Sequence, residues 1–192
     1  MPAHKIQRVQ EASCGLLVID LQEKFAPIIQ NWDSVVALST RLIRFFRLIK
    51  APILVTEQYP EKLGPTVQPI HEVLSGSGAV VLPKTTFSSC GAPKFKQALK
   101  KSRRRQWILC GIETHVCIQQ TTFEMLELGY EVFLAVDAMS SRRSKDREVA
   151  LARLASAGAI LSTSESLICE TLRDTQHPLF KPAFALVKEI ID

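Results

Sequence analysis

The chain has 192 residues, of which 46% are hydrophobic, and a formal net charge of +5 at pH 7. That is enough apolar material for one sizeable core, while no apolar run approaches the ~20 residues that span a bilayer, so a transmembrane helix and a membrane partner are not expected. The polar stretch from Met1 to Ser13 lacks the apolar segment of a signal peptide, which predicts a cytoplasmic protein.

In chain order, strand-like apolar runs fall at residues 15–19, 52–56, 79–82, 106–110, 131–136 and 159–161. Most are continuously apolar, as strands buried on both faces of a parallel sheet are. Helical patterns lie between them. In residues 34–50, Val35, Leu38, Leu42, Phe45 and Ile49 recur at helical spacing. Further helices are predicted over 92–101, 117–128 and 145–157, the last capped by Gly158. Residues 57–66 read as the longest irregular stretch, with turns at Tyr59-Pro60 and Gly64-Pro65. The tail from Ser164 to Asp192 reads as a helix, a break at His177-Pro178 and a second amphipathic helix. This βαβ alternation predicts a doubly wound α/β sheet in a single domain over 1–192, with a core of about 13–172 and a helical tail over 173–192.

The five cysteines are odd in number and show no C-x-x-C spacing, which also fits a reducing compartment. Cys14, Cys110 and Cys169 sit in or beside apolar segments and read as small buried hydrophobes, while Cys90, in a run of small residues, is open between core and site. The basic run Lys100-Lys101-Ser102-Arg103-Arg104-Arg105 reads as a solvated helix end and loop. Without interleaved aromatics or a zinc-finger spacing it does not predict a nucleic-acid partner. The four histidines are scattered, so no metal site is expected.

Cys117 stands apart. It closes the turn Gly111-Ile112-Glu113-Thr114-His115-Val116-Cys117 between a strand and a helix, where the helix dipole favours thiolate. Two other strand candidates run into a charged residue, Asp20 and Lys84. In open parallel sheets ligands bind outside the carboxyl ends of the strands, which puts Asp20, Glu57, Lys84 and the 111–117 loop on one rim. An Asp to take the thiol proton, a Lys to stabilise the thiolate and backbone N–H groups of the Glu113–Cys117 turn for an oxyanion would together serve acyl transfer to water through a thioester. Each residue also has an ordinary reading: Asp20 as a turn cap, Lys84 as a surface lysine, Cys117 as a core residue. Phe25, Tyr59 and Phe87 follow strand ends and are placed as pocket walls, with Gln58 offering an amide to orient a substrate. Apolar residues in the last helix (Phe184, Leu186, Val187, Ile190, Ile191) suggest either a homo-oligomer or a helix packed on its own domain.

The segments 17–25, 83–88 and 111–117, with Thr56-Glu57-Gln58-Tyr59-Pro60 and residues 136–142 in the same order, resemble the isochorismatase-like cysteine hydrolases. The resemblance covers roughly residues 13–172 and lies closest to the isochorismatase-domain-containing branch. It implies a three-layer Rossmann-like fold with a six-stranded parallel sheet and helices on both faces. It also implies a triad of Asp20, Lys84 and Cys117, a cis peptide joining Ile112 to Glu113, and an oxyanion hole at Glu113 and Cys117, with a small molecule as substrate and no cofactor. Members that hydrolyse nicotinamide carry metal-binding histidines after the second strand, and this chain has Glu57-Gln58-Tyr59-Pro60 there. Members that hydrolyse the isochorismate vinyl ether rely on the aspartate alone. The expected activity is therefore cysteine-dependent hydrolysis of a small amide or related C–N acyl bond. An Asp20-led vinyl ether hydrolase and a non-catalytic binding or scaffold protein are the alternatives.

Overall fold

The computed structural model describes residues 7–189. Six parallel strands form one sheet in the order β3-β2-β1-β4-β5-β6. They are β1 (Cys14–Ile19), β2 (Ile53–Gln58), β3 (Val80–Lys84), β4 (Gln106–Ile112), β5 (Glu131–Ser140) and β6 (Ile160–Ser162). Around them lie α1 (Trp32–Leu48), α2 (Pro60–Leu63), α3 (Gln68–Leu74), α4 (Pro93–Lys101), α5 (Gln119–Glu127), α6 (Ser144–Ser156), α7 (Ser164–Leu172) and α8 (Phe180–Val187).

The continuous apolar runs are explained by two cores, one on each face of the sheet. Along β1, Leu16 and Val18 join Val55, Ile108 and Phe133 under α1, α3, α7 and α8. Their neighbours Leu17 and Ile19 join Leu54, Trp107 and Leu109 beneath α4, α5 and α6. Alternate side chains of a strand point to opposite faces, so a strand covered on both sides must be apolar throughout. The edge strand β3 is covered less, and Val80 and Val81 are exposed there.

Strand order sets where a ligand can sit. From β1 the chain winds outward to β2 and β3, then crosses back to β4, which pairs with the other side of β1 with Val18 opposite Cys110. The crevice at such a reversal opens at the carboxyl ends of β1 and β4. Gly111 makes the approach possible. Its φ is 112°, and a Cβ there would overlap the Ile19 carbonyl oxygen. The β4–β5 register shifts between Leu109 and Gly111, with the extra residues on β5, while β4 keeps its register with β1 through Gly111.

Several sequence expectations need correction. The stretch 57–66 is not irregular throughout: β2 continues to Gln58 and α2 occupies Pro60–Leu63. Helix α3 has no counterpart in the sequence reading, because only Ile70 and Leu74 of its residues are buried and no periodic stripe develops. The helix expected from Cys117 begins as a π-helical turn at Thr114–Ile118 and becomes α-helical at Gln119. Cys169 is exposed on α7 rather than buried. For the last helix the second of the two readings holds: Ala183 and Leu186 belong to the core that α1 and α7 complete, and Phe180 stacks on Phe184 at 5.1 Å. Ile190 and Ile191 lie outside the described residues.

Among the described residues no helix is long and apolar enough to cross a membrane, and no group of three or more His, Cys, Asp or Glu side chains is placed to hold a metal.

Candidate active site

Asp20 ends β1 with a φ of 55°, a left-handed conformation that aspartate adopts more readily than most residues. Its backbone N–H donates to the Thr56 carbonyl at 3.1 Å. Its carboxylate accepts from Thr56 Oγ1 at 2.8 Å on one oxygen and from Lys84 Nζ at 2.7 Å on the other. The ion pair is buried, with both side chains at 1% exposure or less. A buried charge is tolerated only when its partners are present, and Lys84 has several. Besides Asp20, its ammonium reaches Gln58 Oε1 at 2.6 Å, the Phe87 carbonyl at 3.1 Å and Cys117 Sγ at 3.4 Å.

Three strands thus deliver three groups to one point. β1 supplies Asp20, β3 ends in Lys84, and the turn after β4 carries Cys117. The Ile112–Glu113 peptide bond ahead of that turn is cis.

The thiol is not held as thiolate. Burial pushes Cys117 up to about 12, the neighbouring Asp20 carboxylate adds to the rise, and Lys84 only partly offsets them. The sequence reading weighed the helix end and the lysine. It could not weigh desolvation or the negative charge of a carboxylate 97 positions away in the chain. At rest the site is a neutral thiol beside an ion pair.

Asp20 and Cys117 line a cleft of about 330 Å³, and Lys84, buried beside them, does not. Phe25, Gln58, Tyr59 and Phe87 all line it, together with Ile112 and Glu113. Gln58 does not present a free amide, however. Its Oε1 accepts from Lys84 and its Nε2 donates to the Thr85 carbonyl at 2.9 Å, so it positions the ammonium. Gln22 in turn fixes Gln58: it accepts from the Gln58 backbone N–H at 2.8 Å and donates to the Gln58 and Gly64 carbonyls. A larger cleft of about 840 Å³ opens beside α1 and α6, but it contains none of Asp20, Lys84 or Cys117.

The sequence reading missed four lining residues: Lys62, Leu63, Val116 and Arg142. Lys62 and Leu63 arrive on α2, whose existence was not foreseen. Arg142 grips Glu113 through Nη2–Oε1 at 2.9 Å, Nε–Oε2 at 3.2 Å and its backbone N–H to Oε2 at 3.0 Å. Burial opposes ionisation of Glu113, yet these bonds win and hold its carboxyl below the ordinary range. The available signal was the pair's presence in two of the recognised segments, where Glu113 had been considered only for its backbone.

Other candidates fall away from the cleft. Cys90 is fully buried in the core with Phe95, Leu99 and Met125, and burial pushes its thiol up to about 12. His115 bonds Ser141 Oγ at 3.0 Å and faces Asp146 rather than Cys117.

The isochorismatase domain model matches residues 14–166. Isochorismatase domain-containing protein 2A of Mus musculus is 44% identical over 182 residues, covering 95% of this chain and 86% of the mouse protein. The solved structure of MAR1 ribonuclease from Caenorhabditis elegans shares 40% identity at a TM-score of 0.91, covering 97% of this chain and 95% of that one. The YcaC gene product of Escherichia coli, described as an octameric hydrolase of unknown specificity, superposes at a TM-score of 0.89 over 96% of this chain and 92% of its own. At 21% identity that likeness shows the fold alone. Model, relatives and fold agree: the chain belongs to the isochorismatase family of hydrolases.

Proposed function

We propose that the chain is a cysteine hydrolase of a small amide or related C–N acyl bond, acting through a thioester on Cys117. One observation carries the reading: a single buried ammonium, Lys84, contacts both a carboxylate and a thiol that line a cleft with aromatic walls. In this cycle Asp20 takes the thiol proton as sulfur attacks the carbonyl carbon. The S–C bond forms and the carbonyl π pair moves onto oxygen, which accepts from the backbone N–H groups of Glu113 and Cys117. Collapse breaks the C–N bond, and Asp20 gives its proton to the leaving nitrogen. Water, losing a proton to Asp20, attacks the thioester and releases the acid, and the proton returns to sulfur. Lys84 offsets the negative charge that Asp20 and the sulfur carry in turn. Because burial keeps the resting thiol neutral, proton transfer accompanies attack and does not precede it.

In this reading Phe25, Tyr59 and Phe87 flank a flat acyl group, and Gln58 acts through Lys84. The five free thiols support a cytoplasmic, reducing location. Exposed Val80 and Val81 on the edge strand support self-association, which sedimentation velocity tests.

The test is turnover of a panel of small amides by the wild type, Cys117→Ala and Asp20→Asn. The thioester reading requires activity that both substitutions abolish, with an acyl adduct on Cys117 by intact mass. Isochorismate turnover that survives Cys117→Ala and fails in Asp20→Asn would establish the Asp20-led alternative, which the family itself and the buried carboxylate favour. Cleavage of an RNA oligonucleotide in the same panel would favour the activity by which the Caenorhabditis elegans structure is described.

A further inference from the structure

The basic run at residues 100–105 has no place in the chemistry above. It contributes to another cleft, of about 560 Å³, at the opposite edge of the sheet, where the strands begin. Arg47 and Lys50 reach it from the end of α1, Gly76 and Ser77 from the turn before β3, and Ser102 and Arg104 from the turn before β4. No lining residue is acidic. The ion pairs among the described residues include none of Arg47, Lys50 and Arg104.

The cations are anchored but not consumed. Arg47 donates through Nη1 to the Val73 carbonyl at 2.8 Å, and Arg104 through Nη1 to the Ala12 carbonyl. A guanidinium has five N–H donors, so each keeps most of them uncommitted while its position is fixed. The carboxyl ends of α1, α3 and α4 also converge here. Together they carry about −1.5 charges, and part of the basic character offsets them. The three lining cations, exposed Arg47 and Lys50 with half-buried Arg104, exceed that requirement, and exposed Lys100, Lys101 and Arg103 stand outside the lining. The surplus is positive charge lining a concave surface with two serines. Its apolar wall is only Ala51 and Pro52, with no aromatic ring on which a base could stack.

We propose that this cleft binds the phosphate chain of a di- or triphosphate ligand, recognising the phosphates through Arg47, Lys50 and Arg104 and not the group attached to them. Bidentate guanidinium contacts suit phosphate oxygens, and the lysine adds a mobile point charge. The size of the cleft favours a small ligand over a nucleic-acid strand, which would need a groove running beyond it. The site is independent of the proposed thioester chemistry.

Titration calorimetry of the full chain with tripolyphosphate, ATP and GTP at low salt tests the proposal. All three should bind within about threefold of one another, and 0.5 M salt should weaken each. Lys50→Asn removes a charge from a side chain that has no ion-pair partner among the described residues, at a φ of 53° that asparagine tolerates. It should weaken tripolyphosphate about five- to tenfold, the effect of one phosphate contact, and adding Arg104→Gln should abolish binding. Thermal melts check that both variants are folded. The proposal is overturned if tripolyphosphate gives no saturable heat, if the folded variants bind like the wild type, or if ATP binds and tripolyphosphate does not. Binding of single-stranded RNA without binding of tripolyphosphate would also overturn it in favour of a nucleic-acid surface.

Discussion

Cys110 and Cys117 are seven residues apart, both buried, and burial pushes both thiols up to about 12. Their surroundings have little else in common. Cys110 sits inside β4 among Val18, Ile108 and other core residues. Cys117 is beside an ammonium and a carboxylate at the floor of a cleft. A shifted thiol therefore does not mark the nucleophile. What separates the two is whether a partner can take the proton at the moment a substrate arrives.

The largest effect should come from removing each sulfur in turn. On an amide the wild type turns over, Cys117→Ala is expected to lower kcat by about 10³-fold or more, the scale of losing a covalent nucleophile. Cys110→Ala should leave kcat within about twofold and cost about 1 kcal/mol of stability. Comparable losses of turnover from both would dissolve the distinction.

Stability sharpens it next. Asp20→Asn preserves shape but leaves the Lys84 ammonium buried without its carboxylate, so urea unfolding should show a loss of about 3–5 kcal/mol. Glu113→Gln breaks a pair whose arginine is 52% exposed, where solvent already screens the charge, and should cost about 1 kcal/mol.

Alkylation reads the thiol directly. Iodoacetamide labelling of Cys117 should still be rising with pH above ~10, where an unperturbed thiol near ~8.5 has levelled off. Asp20→Asn removes the negative neighbour and should shift that profile to lower pH. A plateau below pH 8 in the wild type would show a thiolate at rest and sink the concerted proton transfer.

The smallest effect concerns acid stability. The Glu113 carboxyl titrates lower in the folded chain than in the unfolded one, where ~4.3 is usual, so its contribution is present above that value and is lost as pH falls through the lower folded value. Glu113→Gln should flatten this part of the stability–pH curve, measured by denaturant midpoints between pH 5 and pH 2.

How much of this could be read beforehand follows from the range of the interactions. β1 and β4 announced themselves because burial on both faces forces apolar runs, a local signal. Asp20, Lys84 and Cys117 were legible as strand-end residues, and their meeting followed once the strand order was known. Helix α2 was hidden, since its four residues Pro60–Leu63 leave no room for a periodic pattern. With it went Lys62 and Leu63 as lining residues. The protonation of Cys117 was illegible for a different reason. It depends on how deeply the turn is buried and on a carboxylate from another strand, neither of which adjacent residues record. Gln58 lines the cleft, but its amide bonds Lys84 and Thr85, partners from another strand end that its own neighbours in the chain do not record.

Gly111 bears on how such a site would be mapped by experiment. Alanine scanning treats glycine as nearly blank, yet at this position a methyl group is an insertion, landing on the Ile19 carbonyl one residue before Asp20. The spacing between proposed base and nucleophile is thus written in a missing side chain. A survey that scores only the loss of functional groups would rank Gly111 beside the charged residues and credit it with a chemistry it does not have.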